Sequence, residues 1–320
     1  MFRSRFLVLL AAAIAMCMGC TDGGDQVGPE TQGNGTEPQK GPYATPPEVK
    51  GPPTGAPHGS LSPPAFFAST IYSGKKFRYQ IYVPAQYRVG QAAALMVFQD
   101  GPFLYLDLLK TPWVFDHLIH ERGMPVTIAL FIDPGTPTGI YKDAPAENEM
   151  RSLQYDSVDE TYTRFLLDEI LPAVVLRQYT ITLDPDGWAI GGQSSGGIAA
   201  FTVAWHRPDR FHKVLTQNGS FVNFRGGDAY PSLVRAAAVK PLRVYLLSST
   251  NDLSNSFGNW LQGNTALVTA LRARGYAYRF RAGTGEHWPP LQALADYPDA
   301  LRWLWRGYVL PRQATGTALS

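Results

Sequence analysis

Apolar residues along this chain fall into short blocks of two kinds, and the two kinds alternate. Ala94-Leu95-Met96-Val97-Phe98, Val126 to Ile132 and Leu242 to Leu247 are near-continuous apolar runs, which read as strands covered on both faces. Phe77-Arg78-Tyr79-Gln80-Ile81-Tyr82-Val83 instead alternates apolar with polar residues, the period of a half-buried strand, and Pro84 ends it. Lys213 to Thr216 and Ala277 to Ala282 are shorter strands. Between these blocks, Val114 to Glu121, Ser157 to Tyr179, Thr265 to Ala273 and Leu291 to Arg306 carry helical spacing, and Gly275 stops the third. Ile140 to Asp156 has no clear period and reads as a loop near the strand ends that collects Tyr141, Asn148, Arg151 and Tyr155. Strand alternating with helix predicts an α/β domain, a mostly parallel sheet between helical layers.

The first 62 residues follow other rules. Met1 to Arg5 is a basic start, and Phe6 to Met18 is apolar but short for a membrane span, so the pattern is that of a signal peptide over residues 1–20. Met18-Gly19-Cys20 resembles the end of a bacterial lipobox, with Cys17 where leucine is usual. The resemblance implies acylation at Cys20, export, and anchoring to the cell envelope, with plain secretion or an uncleaved apolar anchor as the alternatives; Thr21 after the cysteine favours the outer membrane in a Gram-negative host. Residues 21–62 are rich in Gly, Pro, Thr, Gln and Glu, a composition that cannot bury enough surface to offset its ordering entropy. They are expected to form a flexible tether with a reach of roughly 35 Å, ahead of a catalytic domain over residues 63–312 and a disordered tail over 313–320.

Within the domain, Trp188-Ala189-Ile190-Gly191 runs into Gly192-Gln193-Ser194-Ser195-Gly196 and then into apolar, helix-like residues. Small residues flanking a serine between a strand and a helix fit G-x-S-x-G, the turn that stands a hydroxyl above a parallel sheet. Ser194 is the candidate nucleophile. Ser195 is the weaker one, because the pattern centred on it puts Gln193 where a glycine is needed; its backbone N–H is a candidate oxyanion donor instead. A serine hydroxyl needs a base, and the base needs an orienting group. His58 falls in the tether, His117, His120 and His212 lie in or beside helical stretches, and His206 ends the helix after the serine, which leaves His287 in a glycine-rich loop after a strand. Asp252 follows a buried strand and stands between serine and histidine in the chain, the order Ser-Asp-His expected with this turn. Glu286, adjacent to His287, and Asp228 are the rival acids. The second oxyanion donor belongs in Gln99-Asp100-Gly101-Pro102; Pro102 has no N–H, so Gly101 or Phe103 supplies it.

Val97-Phe98-Gln99-Asp100-Gly101, Gly192 to Gly197, Ala200-Phe201-Thr202-Val203-Ala204-Trp205 and Asn251-Asp252-Leu253 with His287 together resemble the esterase family that includes enterochelin esterases and esterase D. The resemblance runs from about Pro64 to Tyr308. It implies an α/β-hydrolase fold, hydrolysis of a small-molecule ester by Ser194, Asp252 and His287, and a place for Arg151 near the substrate.

Composition narrows the remaining choices. A net charge of +2 gives no argument for nucleic acid as a partner. Both cysteines, Cys17 and Cys20, precede the domain, and with the histidines scattered neither a metal nor another cofactor is expected. Trp260, Phe257, Tyr141 and Tyr155 read as core or lid packing, with a substrate wall as the lesser alternative. A catalytically silent binding protein and an acyltransferase using the same three residues stand as alternatives to the esterase.

Overall fold

The computed structural model describes residues 35–311. The expected signal peptide, Cys17, Cys20 and the tail from residue 313 lie outside them. The strands are β1 (Gly35–Gln39), β2 (Ser60–Leu61), β3 (Ala65–Ala68), β4 (Lys76–Val83), β5 (Ala94–Gln99), β6 (Thr127–Ile132), β7 (Trp188–Gln193), β8 (Lys213–Gln217), β9 (Arg243–Asn251), the small hairpin β10 (Ser254–Asn255) and β11 (Gly258–Asn259), and β12 (Ala277–Glu286). The helices are α1 (Pro47–Lys50), α2 (Thr111–His120), α3 (Pro145–Tyr155), α4 (Thr161–Arg164, continued in wider turns to Leu176), α5 (Ser195–His206), α6 (Tyr230–Ala236), α7 (Trp260–Ala273) and α8 (Leu291–Trp305).

Strand order in the main sheet is β1-β12-β9-β8-β7-β5-β6-β4-β2, with β3 also on β4. Every pairing from β1 through β6 along that order is parallel, while β4 runs antiparallel to β6, β2 and β3. The continuous apolar runs are thereby explained. In β5, Leu95 and Val97 join one core layer with α4, α5 and α7, whereas Ala94, Met96 and Phe98 join the other with α2 and α8. Each large side chain fully buried in these layers contributes roughly 1.5–3 kcal/mol. With both faces covered, the strands present their chemistry at their C-terminal ends, where ligands bind in such sheets.

Three segments depart from the sequence reading. Residues 145–155, expected in a loop, form α3. Its buried face is Ser152, Gln154 and Tyr155, and the Gln154 amide bonds both the N–H and the C=O of Gly135, so a polar inner face hid the helical period. The expected loop 283–287 is largely strand, because β12 continues to Glu286 through an irregularity after Gly283. Residues 35–62 of the expected tether lie on the domain: β1 pairs with β12, Glu48 holds Arg302 at 2.5 Å, and Gly59 N–H donates to Asp116. Backbone pairing and polar contacts hold this segment alongside the burial of Val49 and Ala56, and a hydrophobicity argument does not register the polar part.

Candidate active site

Ser194 occupies the turn between β7 and α5 with φ 57° and ψ −124°, a conformation that costs a non-glycine residue on the order of 1–3 kcal/mol. The turn is over-determined. Ser194 N–H donates to Gln217 C=O at 2.9 Å, and its own C=O accepts from Gly197, Ile198 and Ser220. Gly192 is required by space: a Cβ there would stand 2.2 Å from the Gly196 carbonyl oxygen. These constraints hold one serine out of the helix and leave the next, Ser195, as its first residue and buried.

At the end of β9, Asp252 is buried at its carboxylate, and His287 Nδ1 stands 2.6 Å from Asp252 Oδ1. Leu253 N–H also donates to that oxygen at 2.7 Å. Gln193 Nε2 donates to the His287 carbonyl at 2.9 Å, tying the histidine segment to the strand that carries the serine. Trp260 is buried with its ring edge-on to His287, 6.2 Å between centroids, and its indole N–H donates to Ser220 Oγ. Ser220 Oγ in turn lies 3.4 Å from Ser194 Oγ. The rival acids are placed elsewhere: Glu286 is exposed beside the histidine, and Asp228 is exposed in a short turn before α6. Other histidines are engaged away from the site, His206 with the Val158 carbonyl, His212 with Asp186 and His117 with the Gly51 carbonyl.

Ser194 and His287 open on one cavity of about 680 Å³. Its wall includes Arg151, Asp100 and Tyr141, so those residues share the cavity with the serine, but Arg151 is committed to another partner. Its Nε and one terminal nitrogen grip both oxygens of Asp100, at 2.9 and 2.6 Å, and its guanidinium lies over the Tyr155 ring. Asp100 adopts a left-handed turn, φ 53°, at the end of β5. The next residue, Gly101, packs so closely on β6 that a Cβ would fall 2.5 Å from that of Phe131. The expected aromatic cluster divides: Trp260 and Tyr155 are buried, Tyr141 lines the cavity, and Phe257 packs on Phe224.

Three features in or near the cavity escaped the sequence reading; Asp133, Phe103 and Trp288 line it, and Asp156 lies behind Arg151. Asp133, just past β6, is buried with Arg78 at 3.8 Å, and burial reinforced by the nearby Asp100 pushes its pKa up to about 7 against the pull of Arg78. Asp156, fully buried at the end of α3, is pushed up to about 6 by burial, opposed by Arg151 and by the Ser195 and Ser152 hydroxyls. At the rim, the exposed rings of Phe103 and Trp288 stack 5.6 Å apart. Asp133 follows a buried strand as Asp100 and Asp252 do, the one signal that marked it.

Known proteins resemble this chain in sequence and in fold. The family model described as "Putative esterase" matches residues 70–293. The iron(III) enterobactin esterase of Dickeya dadantii is 36% identical over 98 residues, which is 31% of this chain and 20% of that protein, so the chain spans a fifth of this curated relative. Among solved structures, the enterobactin esterase of Shigella flexneri with 2,3-dihydroxy-N-benzoyl-serine superposes at a TM-score of 0.60 with 22% identity, over 78% of this chain and 61% of that one. A ferulic acid esterase of Anaeromyces mucronatus in complex with ferulic acid gives 0.63 with 13% identity, over 80% and 94%. The matched stretch takes in the serine turn, the Asp252–His287 pair and most of the sheet that joins them, and by it this chain belongs to that esterase family, built on the α/β-hydrolase fold.

Proposed function

We propose that the chain hydrolyses carboxylic esters through an acyl-enzyme on Ser194. The 2.6 Å contact between His287 and Asp252, beside a serine held at φ 57° on the same cavity, carries this reading. Asp252 fixes the tautomer that keeps a proton on Nδ1, which leaves Nε2 to take the Ser194 proton as Oγ attacks the ester carbonyl. The oxyanion is held by the Ser195 N–H, at the start of α5, and by Gly101. The latter heads a helical turn in which Leu104 is the first residue to donate back to Asp100, so earlier amides of that turn remain for a ligand. Nε2 then protonates the departing alkoxide, and the same imidazole activates water to release the acid. A silent binding protein would have no use for the strain at Ser194 or the buried acid behind His287.

The stacked Phe103 and Trp288 rings support an ester with a flat aromatic group, since such a group extends the stack at the cavity mouth. Turnover of feruloyl and dihydroxybenzoyl esters well above acetyl esters by the purified protein is the expected result. Equal or greater turnover of acetyl esters rejects the aromatic assignment, and absence of both turnover and fluorophosphonate labelling rejects the hydrolase. Export with a lipid at Cys20 is proposed on the sequence alone: a fatty-acid probe should label the wild type and Cys17→Ser and spare Cys20→Ser.

A further inference from the structure

We propose that Tyr43, in the segment ahead of the domain, is a positioning residue for His287. The proposal rests on the reading of His287 as the catalytic base, and it starts from a gap in the sheet. β12 pairs with β9 without interruption from Ala277 to Gly283, loses register, and resumes only at Glu286, opposite Asn251. On its other edge, β1 ends at Gln39, opposite Gly283. The backbone of Thr284 and Gly285 is therefore without a strand partner immediately before the histidine; Gly285 is buried and its groups must find partners elsewhere, while Thr284 is exposed and is held by side chains rather than by the ladder.

Side chains supply them. Thr284 N–H donates to the Tyr43 hydroxyl at 2.7 Å, the Thr284 carbonyl accepts from Asn251 Nδ2 at 2.8 Å, and Gly285 N–H donates to Gln292 Oε1 at 3.1 Å. Gln292 is buried and also accepts from Ser249 Oγ at 2.8 Å, and the Tyr43 hydroxyl lies 3.4 Å from the same Oε1. A bulge beside an active site re-aims the residues that follow it. Here it turns the chain so that His287 faces Asp252. Two of its three clamps come from within the domain, but Tyr43 comes from more than 240 residues earlier in the sequence. The segment between the N-terminus and the domain thus does more than space the two apart, because its docking along β12 completes the support of the base.

Tyr43→Phe in the full chain keeps the ring and removes the acceptor. Kcat on an aryl ester is expected to fall about five- to twenty-fold with KM within about two-fold, as displacement of a catalytic group predicts. Deuterium exchange at residues 284–287 should quicken at least about five-fold, for loss of one hydrogen bond. Glu48→Gln, which breaks the ion pair of the same segment to Arg302, should change neither quantity. A Tyr43→Phe protein that melts at a lower temperature yet keeps wild-type kcat and wild-type exchange at 284–287 overturns the proposal. Exchange is read without turnover, so a wild type that hydrolyses nothing would sink the esterase reading while the Tyr43 contact is still judged.

Discussion

Arg151 holds Asp100 by a two-pronged contact, 2.9 Å to one carboxylate oxygen and 2.6 Å to the other, and both side chains are less than one-fifth exposed. This pair joins α3 to the turn that follows β5, and the turn leads directly into Gly101. The arginine is therefore better placed to fix the turn than to hold an anionic substrate.

From that contact, Arg151→Gln is expected to cost on the order of 3 kcal/mol of stability, because a mostly buried carboxylate loses its partner. It should also lower kcat, since the Gly101 donor shifts with the turn. Arg151→Lys should recover the charge but little of the rate, for want of the fork. Urea midpoints and steady-state kinetics check both. A raised KM at unchanged kcat in the two variants would return Arg151 to substrate binding.

Asp133 makes the stability of the folded protein fall between about pH 4 and pH 7. Its pKa is about 7 in the fold against about 3.8 in an open chain, so between those values the native state holds a proton that the unfolded state has lost. Stability then falls as pH rises through this window, by up to about tenfold in the folding constant for each pH unit, and the full contribution is present only below pH 4. Asp133→Asn stays neutral throughout. It should gain on the wild type steadily from pH 4 to pH 7 and by a constant amount above, in denaturant melts across that range; a gap that does not change with pH would show that the carboxyl is ionised in the fold.

How much of this was legible beforehand depended on which interaction placed each residue. Ser194 and Asp252 could be proposed because each stands at the end of an apolar strand, and His287 because the other histidines fall in the tether or in and beside helices. The helix containing Arg151 was not, since its inner face buries Ser152 and Gln154 rather than leucines. Nor was the docking of residues 35–62, which depends on backbone pairing to β12 and on Tyr43, Glu37 and Glu48 meeting groups far along the chain. Periodicity reports burial against an apolar core, and these contacts are polar and remote in sequence.

The strain at Ser194 separates its structural cost from its chemical use. Ser194→Gly removes both the nucleophile and the penalty of a positive φ, so the variant should be inactive and yet more stable than the wild type by about 1 kcal/mol. Ser194→Ala should be as inactive without that gain. Ser195→Ala should keep fluorophosphonate labelling, because the buried Ser195 contributes its backbone N–H and not its hydroxyl. Labelling that survives in Ser194→Ala and disappears in Ser195→Ala would reassign the nucleophile.

The Asp252–His287 contact makes the last and sharpest distinction. Replacing Asp252 by Asn is nearly isosteric, but the amide can turn an N–H toward His287 Nδ1 and stabilise the tautomer with its proton on Nε2, where it cannot accept from Ser194. The rate should drop on the order of 10³- to 10⁴-fold with KM little changed. Glu286→Gln should keep at least about half of the activity, because its side chain is exposed and Asp252 already occupies the Nδ1 side of the ring. Chelators should leave the reaction unaffected, as every proposed step moves a proton or charge among Ser194, His287, Asp252 and backbone amides. Steady-state rates of the two variants, with and without EDTA, decide the matter: near-full activity in Asp252→Asn together with loss in Glu286→Gln would give the role of the acid to Glu286.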